Sequence, residues 1–369
     1  MRPQQFREYE SMKILVNTPF ITILAGVSNH YLGLKPYFSD NVIYNQFYTQ
    51  DYLHRILNKK YITIMAMPFA FVFNYLKFIF LLVHHKRPTV LLNPSFGKRA
   101  IHRDALYLRI AVFFGCKVAV FIHGWDKSYL EKVHNREVQF SNAWFKADAF
   151  FVLAKEFKEY LVKLNIQAPI YLTTTKVNDQ LIRGVFPKKI KKVNTILFLA
   201  RVEKAKGVFT AIDAFNILSQ NYPEMQLRVV GHGNALTEAK EYVKNKDSTR
   251  IIFLGPLTGH SLKSEFMNAD IYILPSHSEG MPTSVLEAMA FGLPIISRPV
   301  GGLVDFFKND KMGYLIEGFE PEDYALKIES LINDIDKVNQ ISIYNAKYAK
   351  DHFMASKVAN QVEKILSLI

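Results

Sequence analysis

Residues 269–302 read ADIYILPSHSEGMPTSVLEAMAFGLPIISRPVGG, and they hold one full turn of the fold's repeat. IYIL is a short, unbroken apolar run, as expected of a strand covered on both faces. A loop of small and polar residues follows it. Then come the helical run SVLEAMAFG and a second apolar strand, PIIS. Two glutamates, Glu279 and Glu287, lie eight positions apart within this unit. Three readings are open for them: a pair of catalytic acids, a clamp on one long ligand, or surface charge without a role.

The alternation extends in both directions. In the first half MKILVN, TVLLNPS, KVAVFIHG, AFFVLA and IYLTTT read as strands, with HRDALYLRIAVFFG and AKEFKEYLVKLN helical between them. FPKKIKKVN, residues 186–194, is polar and basic and reads as a linker. A second series follows, TILFLARV, QLRVVGHG, RIIFLG, IYILPS, PIIS and GYLIE, and the chain becomes helical from about Pro321. Strands alternating with helices predict parallel, doubly wound sheets. The expected class is therefore α/β: two Rossmann-like doubly wound domains facing a central cleft, spanning 1–186 and 187–350, with a terminal helix over 351–369. In such sheets ligands bind beyond the carboxyl ends of the strands, so the loops after each strand hold the candidates.

Length and composition agree. At 369 residues, 49% hydrophobic and 21% charged, the chain suits two globular domains. Its one cysteine, Cys116, lies in an apolar run, so no disulfide forms within the chain and a reducing compartment is expected. The first residues lack the apolar core of a signal peptide, which points to the cytoplasm. The net charge of +13 favours anionic partners. Its lysines and arginines are scattered, with neither zinc-ligand spacing nor an aromatic-basic signature, so no nucleic acid is expected as partner.

Tyr61–Val83, YITIMAMPFAFVFNYLKFIFLLV, is nearly continuous apolar sequence between the basic flanks NKK and HHKR. It is long enough to span a bilayer. A buried or half-buried helix and a helix lying on a membrane surface are the competing readings. A span would cut the first domain in two.

Five further loops carry candidate chemistry. In FLARVEKAKG, Arg201 and Lys206 stand between a strand and a helix opened by Gly207, where loose amides and the helix dipole add to two side-chain cations. The alternative is an ordinary basic loop. VVGHG reads as a tight turn with His232 as a loop residue. FLGPL, with Leu257, makes a turn whose backbone could meet a flat base. In VAVFIHG, His123 closes a strand and faces the expected crevice, or else is a core histidine with a satisfied partner. Gly26 lies between the first strand and the first helix, where backbone can approach a phosphate or a sugar. For the glutamates, a glycosidase-like pair must face one bond across roughly 5–9.5 Å. Eight helical residues span roughly 12 Å, so the spacing suits the ends of a long ligand better. Glu287 is placed in the first turn of a helix that starts near Ser284.

Taken in order, strand-Arg-x4-Lys-Gly, VVGHG, FLGPL and the E-x7-E element Glu279–Glu287 resemble the retaining glycosyltransferases of family 4, which have the GT-B fold. The resemblance is strong from about Asn194 to Glu317 and weaker through AGVSNHYLGL and FIHG. It implies that Arg201 and Lys206 bind the diphosphate of a nucleotide-sugar and stabilise the leaving group. It implies that Glu287 holds the ribose and Glu279 the donor sugar, and that backbone around Gly280, Met281, Pro282 and Thr283 meets sugar and phosphate. His123 is implied to contact the sugar near its reacting centre. Gly26 is implied to lie by the phosphates or the acceptor. The final helix, about Ala355–Ile369, is implied to cross back onto the first domain.

The expected activity is transfer, with retention, from a nucleotide-sugar to a lipid-linked or surface-glycan acceptor, by an enzyme peripheral to the inner face of the membrane. UDP is the nucleotide that the family's habits favour. No metal or further cofactor is expected: the resemblance implies an enzyme without a DxD metal motif, and the triplet DID at Asp334–Asp336 lies in a late helical stretch and reads as surface charge. The rival classes are a non-catalytic nucleotide-sugar-binding subunit and a sugar-nucleotide epimerase or hydrolase.

Overall fold

A computed structural model describes residues 13–20, 26–96, 100–125, 143–246 and 248–369. The chain forms two units, 1–174 with 355–369, and 175–354.

In the first unit, β1 (Ile14–Pro19), α1 (Gly26–Leu34), β2 (Val42–Phe47), α2 (Gln50–Leu57), α3 (Lys60–His84), β3 (Thr89–Leu92), α4 (Ala100–Phe113), β4 (Val118–Ile122), β5 (Ala149–Val152), α5 (Lys155–Lys163) and β6 (Ile170–Leu172) follow in order. These strands form a six-stranded sheet, β2-β1-β3-β4-β5-β6, parallel throughout, and beside it Ser95–Phe96 pairs with Gly124–Trp125 in a short ladder. The interior strands TVLL, VAVFI and AFFV are buried at every position, which explains their unbroken apolar sequence. Strand β2, VIYNQF, escapes a reading by pattern. It is an edge strand, buried only at Asn45 and Phe47, and its polar Asn and Gln break the alternation.

The second unit runs β7 (Thr195–Leu199), α6 (Val208–Ser219), β8 (Gln226–Val230), α7 (Leu236–Asn245), β9 (Ile251–Gly255), α8 (Gly259–Asn268), β10 (Ile271–Leu274), α9 (Thr283–Ala290), β11 (Ile295–Ser297), β12 (Gly313–Leu315), α10 (Pro321–Ile332) and α11 (Ile335–His352). Its sheet order is β9-β8-β7-β10-β11-β12, again all parallel. The order reverses between β7 and β10. The loops leaving those two strands flank the switch point, where an open α/β sheet binds its ligand.

The basic stretch 186–194 is not a free linker. Ile190 and Val193 are buried, and the Ile190 N–H donates to Asn339 Oδ1 at 2.8 Å while Asn339 Nδ2 donates to the Ile190 carbonyl at 2.9 Å. Lys188 pairs with Asp270 at 2.8 Å, and the same carboxylate accepts the N–H groups of Asn194 and Thr195. Two buried apolar residues among four lysines are enough to pin the segment to its own sheet, so the boundary falls at Thr174 rather than at 186. At the far end Val177 bridges Met354, and α12 (Ala355–Leu366) belongs to the first unit. There Ala355, Val358, Ala359, Val362 and Leu366 are buried on one face, and Glu363 accepts from the Ser39 N–H at 3.1 Å. Asp334 is a helix cap, accepting the Lys337 N–H at 2.9 Å.

Tyr61–Val83 falls within α3, which is half-buried. Thr63, Asn74, Tyr75, Phe78 and Leu82 face the unit, and the opposite stripe is exposed.

Candidate functional site

The loop after β7 carries Arg201 and Lys206, and the loop after β10 carries Glu279. The two loops meet in an ion pair: Lys206 Nζ lies 2.6 Å from Glu279 Oε1, with both side chains about 15% exposed. Gly207 makes the approach possible. Its φ of +75° is left-handed, and a Cβ there would lie 2.1 Å from the Pro275 carbonyl oxygen. The His277 N–H, donating to the Ala205 carbonyl at 2.9 Å, ties the loops together again. Arg201 stands at the rim, 69% exposed, with Nη1 2.7 Å from Glu203 Oε1.

Gly280 is held from behind. The Gly302 N–H donates to the Gly280 carbonyl at 2.7 Å. A Cβ on Gly301, whose φ is +52°, would come within 2.2 Å of that same oxygen. The VGG that ends the opening stretch is therefore a backbone brace for the glutamate loop. Its glycine pair is visible in the sequence, but the carbonyl that Gly302 meets lies 22 positions earlier.

Helix α9 begins at Thr283, directly after buried Met281 and Pro282, so its first amides open at the switch point. Glu287 is its fifth residue and lies in the second turn, not the first. The helix dipole falls off within the first turn, so it does not account for this carboxylate. Glu287 is only 9% exposed, and burial pushes its pKa up to about 7. The charge that opposes the shift is Lys176, itself 4% exposed and with its pKa lowered by burial. Lys176 was missed because IYLTTTKVN reads as a strand and its exit, 111 positions before the glutamate. Neighbouring Thr175 Oγ1 donates to the Met281 carbonyl at 3.4 Å, which fixes this segment beside the loop. Leu257 lies half-buried after β9, at the edge of the sheet, and His232 is exposed.

His123 and Gly26 belong to the first unit. His123 leaves β4 stacked on Phe121, with ring centroids 4.0 Å apart, and burial lowers its pKa to about 3. Its Nε2 lies 3.0 Å from Asn93 Oδ1. Asn93 is buried, donates from Nδ2 to the carbonyls of Asn17 and Leu91, and accepts at Oδ1 from the Tyr31 hydroxyl at 2.5 Å. With the amide so oriented, the imidazole must donate from Nε2, which leaves Nδ1 an acceptor. His123 is thus neutral and too weak a base to take a proton at neutral pH. It can accept a hydrogen bond from a hydroxyl. Asn93 was not singled out, since one asparagine after a strand carries no pattern. Gly26 opens α1 with nothing within 4 Å of where a Cβ would sit, and residues 21–25 ahead of it lie outside the described residues.

A lysine–glutamate pair at a sheet's switch point, a second glutamate buried in the adjoining helix and a glycine-braced loop between them make up this site. Residues 185–348 match the model of the family described as glycosyl transferases, group 1.

The group 1 segment coincides closely with the second unit. Among sequence relatives, D-inositol 3-phosphate glycosyltransferase of Paenarthrobacter aurescens is 26% identical over 191 residues, 50% of this chain and 46% of that protein. The putative colanic acid biosynthesis glycosyltransferase WcaL of Escherichia coli is 22% identical over 256 residues, 66% of this chain and 62% of that one. The chain thus spans less than half of the inositol-phosphate relative that it matches. Among solved structures, sucrose-phosphate synthase from Thermosynechococcus elongatus matches 96% of this chain and 98% of its own, with a TM-score of 0.71 at 16% identity. Anabaena HepE in complex with UDP matches 97% and 100%, with a TM-score of 0.69 at 18% identity. At such identities the likeness is one of fold, and that fold is GT-B.

Proposed function

We propose that this chain is a retaining, metal-independent glycosyltransferase that moves a sugar from a nucleotide-sugar, UDP-linked in the first instance, to a lipid-linked or surface-glycan acceptor. The observation that carries the reading is the Lys206–Glu279 pair at the switch point beside buried Glu287. Support for UDP comes from the fold neighbours, since HepE was solved with UDP-glucose and pneumococcal GtfA with UDP and GlcNAc.

In this reading the diphosphate enters above the first amides of α9, and Lys206 shifts part of its charge from Glu279 to the phosphates. Arg201 exchanges Glu203 for phosphate oxygens, which its planar fork suits. Freed from full pairing, Glu279 accepts from hydroxyls of the donor sugar. Glu287 accepts from the ribose, and those hydrogen bonds replace the hydration that burial removed. When the anomeric bond breaks, its electron pair leaves with the diphosphate, and Lys206, already in place, with Arg201 recruited from Glu203, stabilises that charge. The acceptor hydroxyl attacks from the face the diphosphate leaves, and its proton departs with a phosphate oxygen.

A panel of UDP-, GDP- and ADP-sugars, incubated with and without lipid-linked or glycan acceptors, tests this. Donor consumption that depends on acceptor, with a new glycosidic product of unchanged anomeric configuration, is the expected result. Consumption without acceptor means hydrolysis or epimerisation instead. Turnover is expected to be unchanged by EDTA. Loss on chelation and recovery on adding a divalent ion would contradict the assignment of leaving-group charge to Arg201 and Lys206.

A further inference from the structure

The exposed side of α3 is the largest feature that the nucleotide-sugar reading leaves unused. A helix on the outside of a soluble domain is polar on its outward face. Here the outward face is apolar. Tyr61, Met65, Phe69, Val72, Leu76 and Phe80 are all exposed, Tyr61 by 83% and Phe69 by 78%. Their spacing of four, four, three, four and four keeps them within about a 100° arc along a helix about 37 Å long. Contiguous apolar surface on this scale marks an interaction site.

The other side of the helix cannot be given up. Asn74 accepts the Tyr48 N–H at 2.9 Å and donates to the Tyr48 carbonyl at 3.0 Å, finishing the backbone beyond β2. Lys77 Nζ donates to the Gln46 carbonyl at 3.2 Å, and the Tyr75 hydroxyl donates to the Arg103 carbonyl at 3.2 Å. A bilayer-spanning α3 would break all of these and uncover the sheet.

Charge identifies what meets the stripe. From residue 52 to 103 the sequence has nine lysines and arginines and no aspartate or glutamate. Exposed Lys59 and Lys60 stand at the start of the helix, and exposed Lys86 and Arg87 follow it. Cations at both ends give a span no preferred orientation, but they suit a helix lying flat with both ends at one headgroup level.

We propose that α3 docks in the plane of an anionic bilayer surface, its Tyr61–Phe80 stripe buried at the headgroup–acyl boundary and its terminal cations on acidic headgroups. The anionic cytoplasmic leaflet is the matching surface. This docking does not depend on which nucleotide-sugar the second unit takes.

The test is co-sedimentation of the full chain with vesicles of phosphatidylcholine alone and of phosphatidylcholine with one third phosphatidylglycerol, at low and high salt. Wild type is expected in the pellet with the anionic vesicles, with partition falling at least about tenfold at high salt. Met65→Gln/Phe69→Gln/Leu76→Gln should lower partition at least about tenfold, since all three side chains leave water on docking. Lys59→Glu/Lys60→Glu should weaken binding and flatten its salt dependence. An unchanged near-ultraviolet circular dichroism spectrum shows that both variants fold. Wild type left in the supernatant, or equal partition of the triple glutamine variant, overturns the proposal. So does a dimer that the triple variant converts to monomer without any vesicle binding, because the stripe would then be a contact between copies. Wild type that resists extraction from anionic vesicles by alkaline carbonate overturns it in favour of a span.

Discussion

Lys206→Ala is expected to lower kcat by about 100- to 1,000-fold, the usual cost of removing one preorganised charge or donor from a developing anion. The lysine is held at 2.6 Å from Glu279 on a loop that Gly207 packs against Pro275, so its charge is in place before the ligand arrives. Its removal also leaves Glu279 without a counter-charge, which repels the incoming diphosphate and raises KM. Arg201→Ala should have a smaller effect, because that side chain is exposed and must be recruited from Glu203. Lys204→Ala is the control. Lys204 lies two positions away and is also cationic, but it is largely exposed and paired with Glu238 on the surface. Turnover by Lys204→Ala should match wild type. If Lys206→Ala retained near-normal kcat while its unfolding curve matched wild type, the phosphate assignment would be wrong.

The second large effect concerns Glu287, where stability and binding are expected to move in opposite directions. The pKa of a buried carboxyl raised to about 7 means that the folded chain holds a proton the unfolded chain releases near 4.5. The sign follows: this residue's contribution is fully present below pH 4.5 and is lost as pH rises through about 7. By pH 8 the cost of ionising it in place is on the order of 3 kcal/mol. Glu287→Gln removes that cost. The variant should therefore unfold at a higher temperature than wild type at pH 8, with the gap closing towards pH 5. Lys176 loses its counter-charge in this variant, and burial already lowers its pKa. The same variant should bind UDP about 10- to 100-fold more weakly, the range for hydrogen bonds to a charged acceptor. A residue that costs stability and contributes binding marks a functional site. Thermal unfolding at pH 5 and pH 8 with UDP titrations checks both halves. A less stable variant at pH 8 with unchanged affinity would make Glu287 structural.

Much of this site was legible before any coordinates because its parts are local. Arg201 and Lys206 share one loop, and Glu279 and Glu287 share one strand-loop-helix unit. What stayed hidden depends on distant partners. Lys176 gains meaning only beside Glu287, and Asn93 only between Tyr31 and His123. Gly301 matters only because the Gly280 carbonyl lies where its side chain would be. The sequence places Glu287 in the first turn because it sets the start of α9 near Ser284, one residue late. Placing it in the second turn turns a favourable charge into a buried one that needs a ligand. The fold shows the same division. Interior strands announce themselves by unbroken apolar runs, whereas β2 is an edge strand with too few buried positions to leave a pattern. The stretch 186–194 looks like a linker by composition, yet Ile190 and Val193 are core residues.

The central claim is that the loops after β7 and β10 clamp a nucleotide-sugar between Lys206 and Glu287. Calorimetric titration of UDP-, GDP- and ADP-sugars into the full chain, repeated with Lys206→Ala and Glu287→Gln, tests it most directly. The account predicts saturable binding of one nucleotide class, UDP first, with affinity reduced at least about tenfold in each variant. Absence of binding by every nucleotide-sugar, or equal affinity in wild type and both variants, would contradict it.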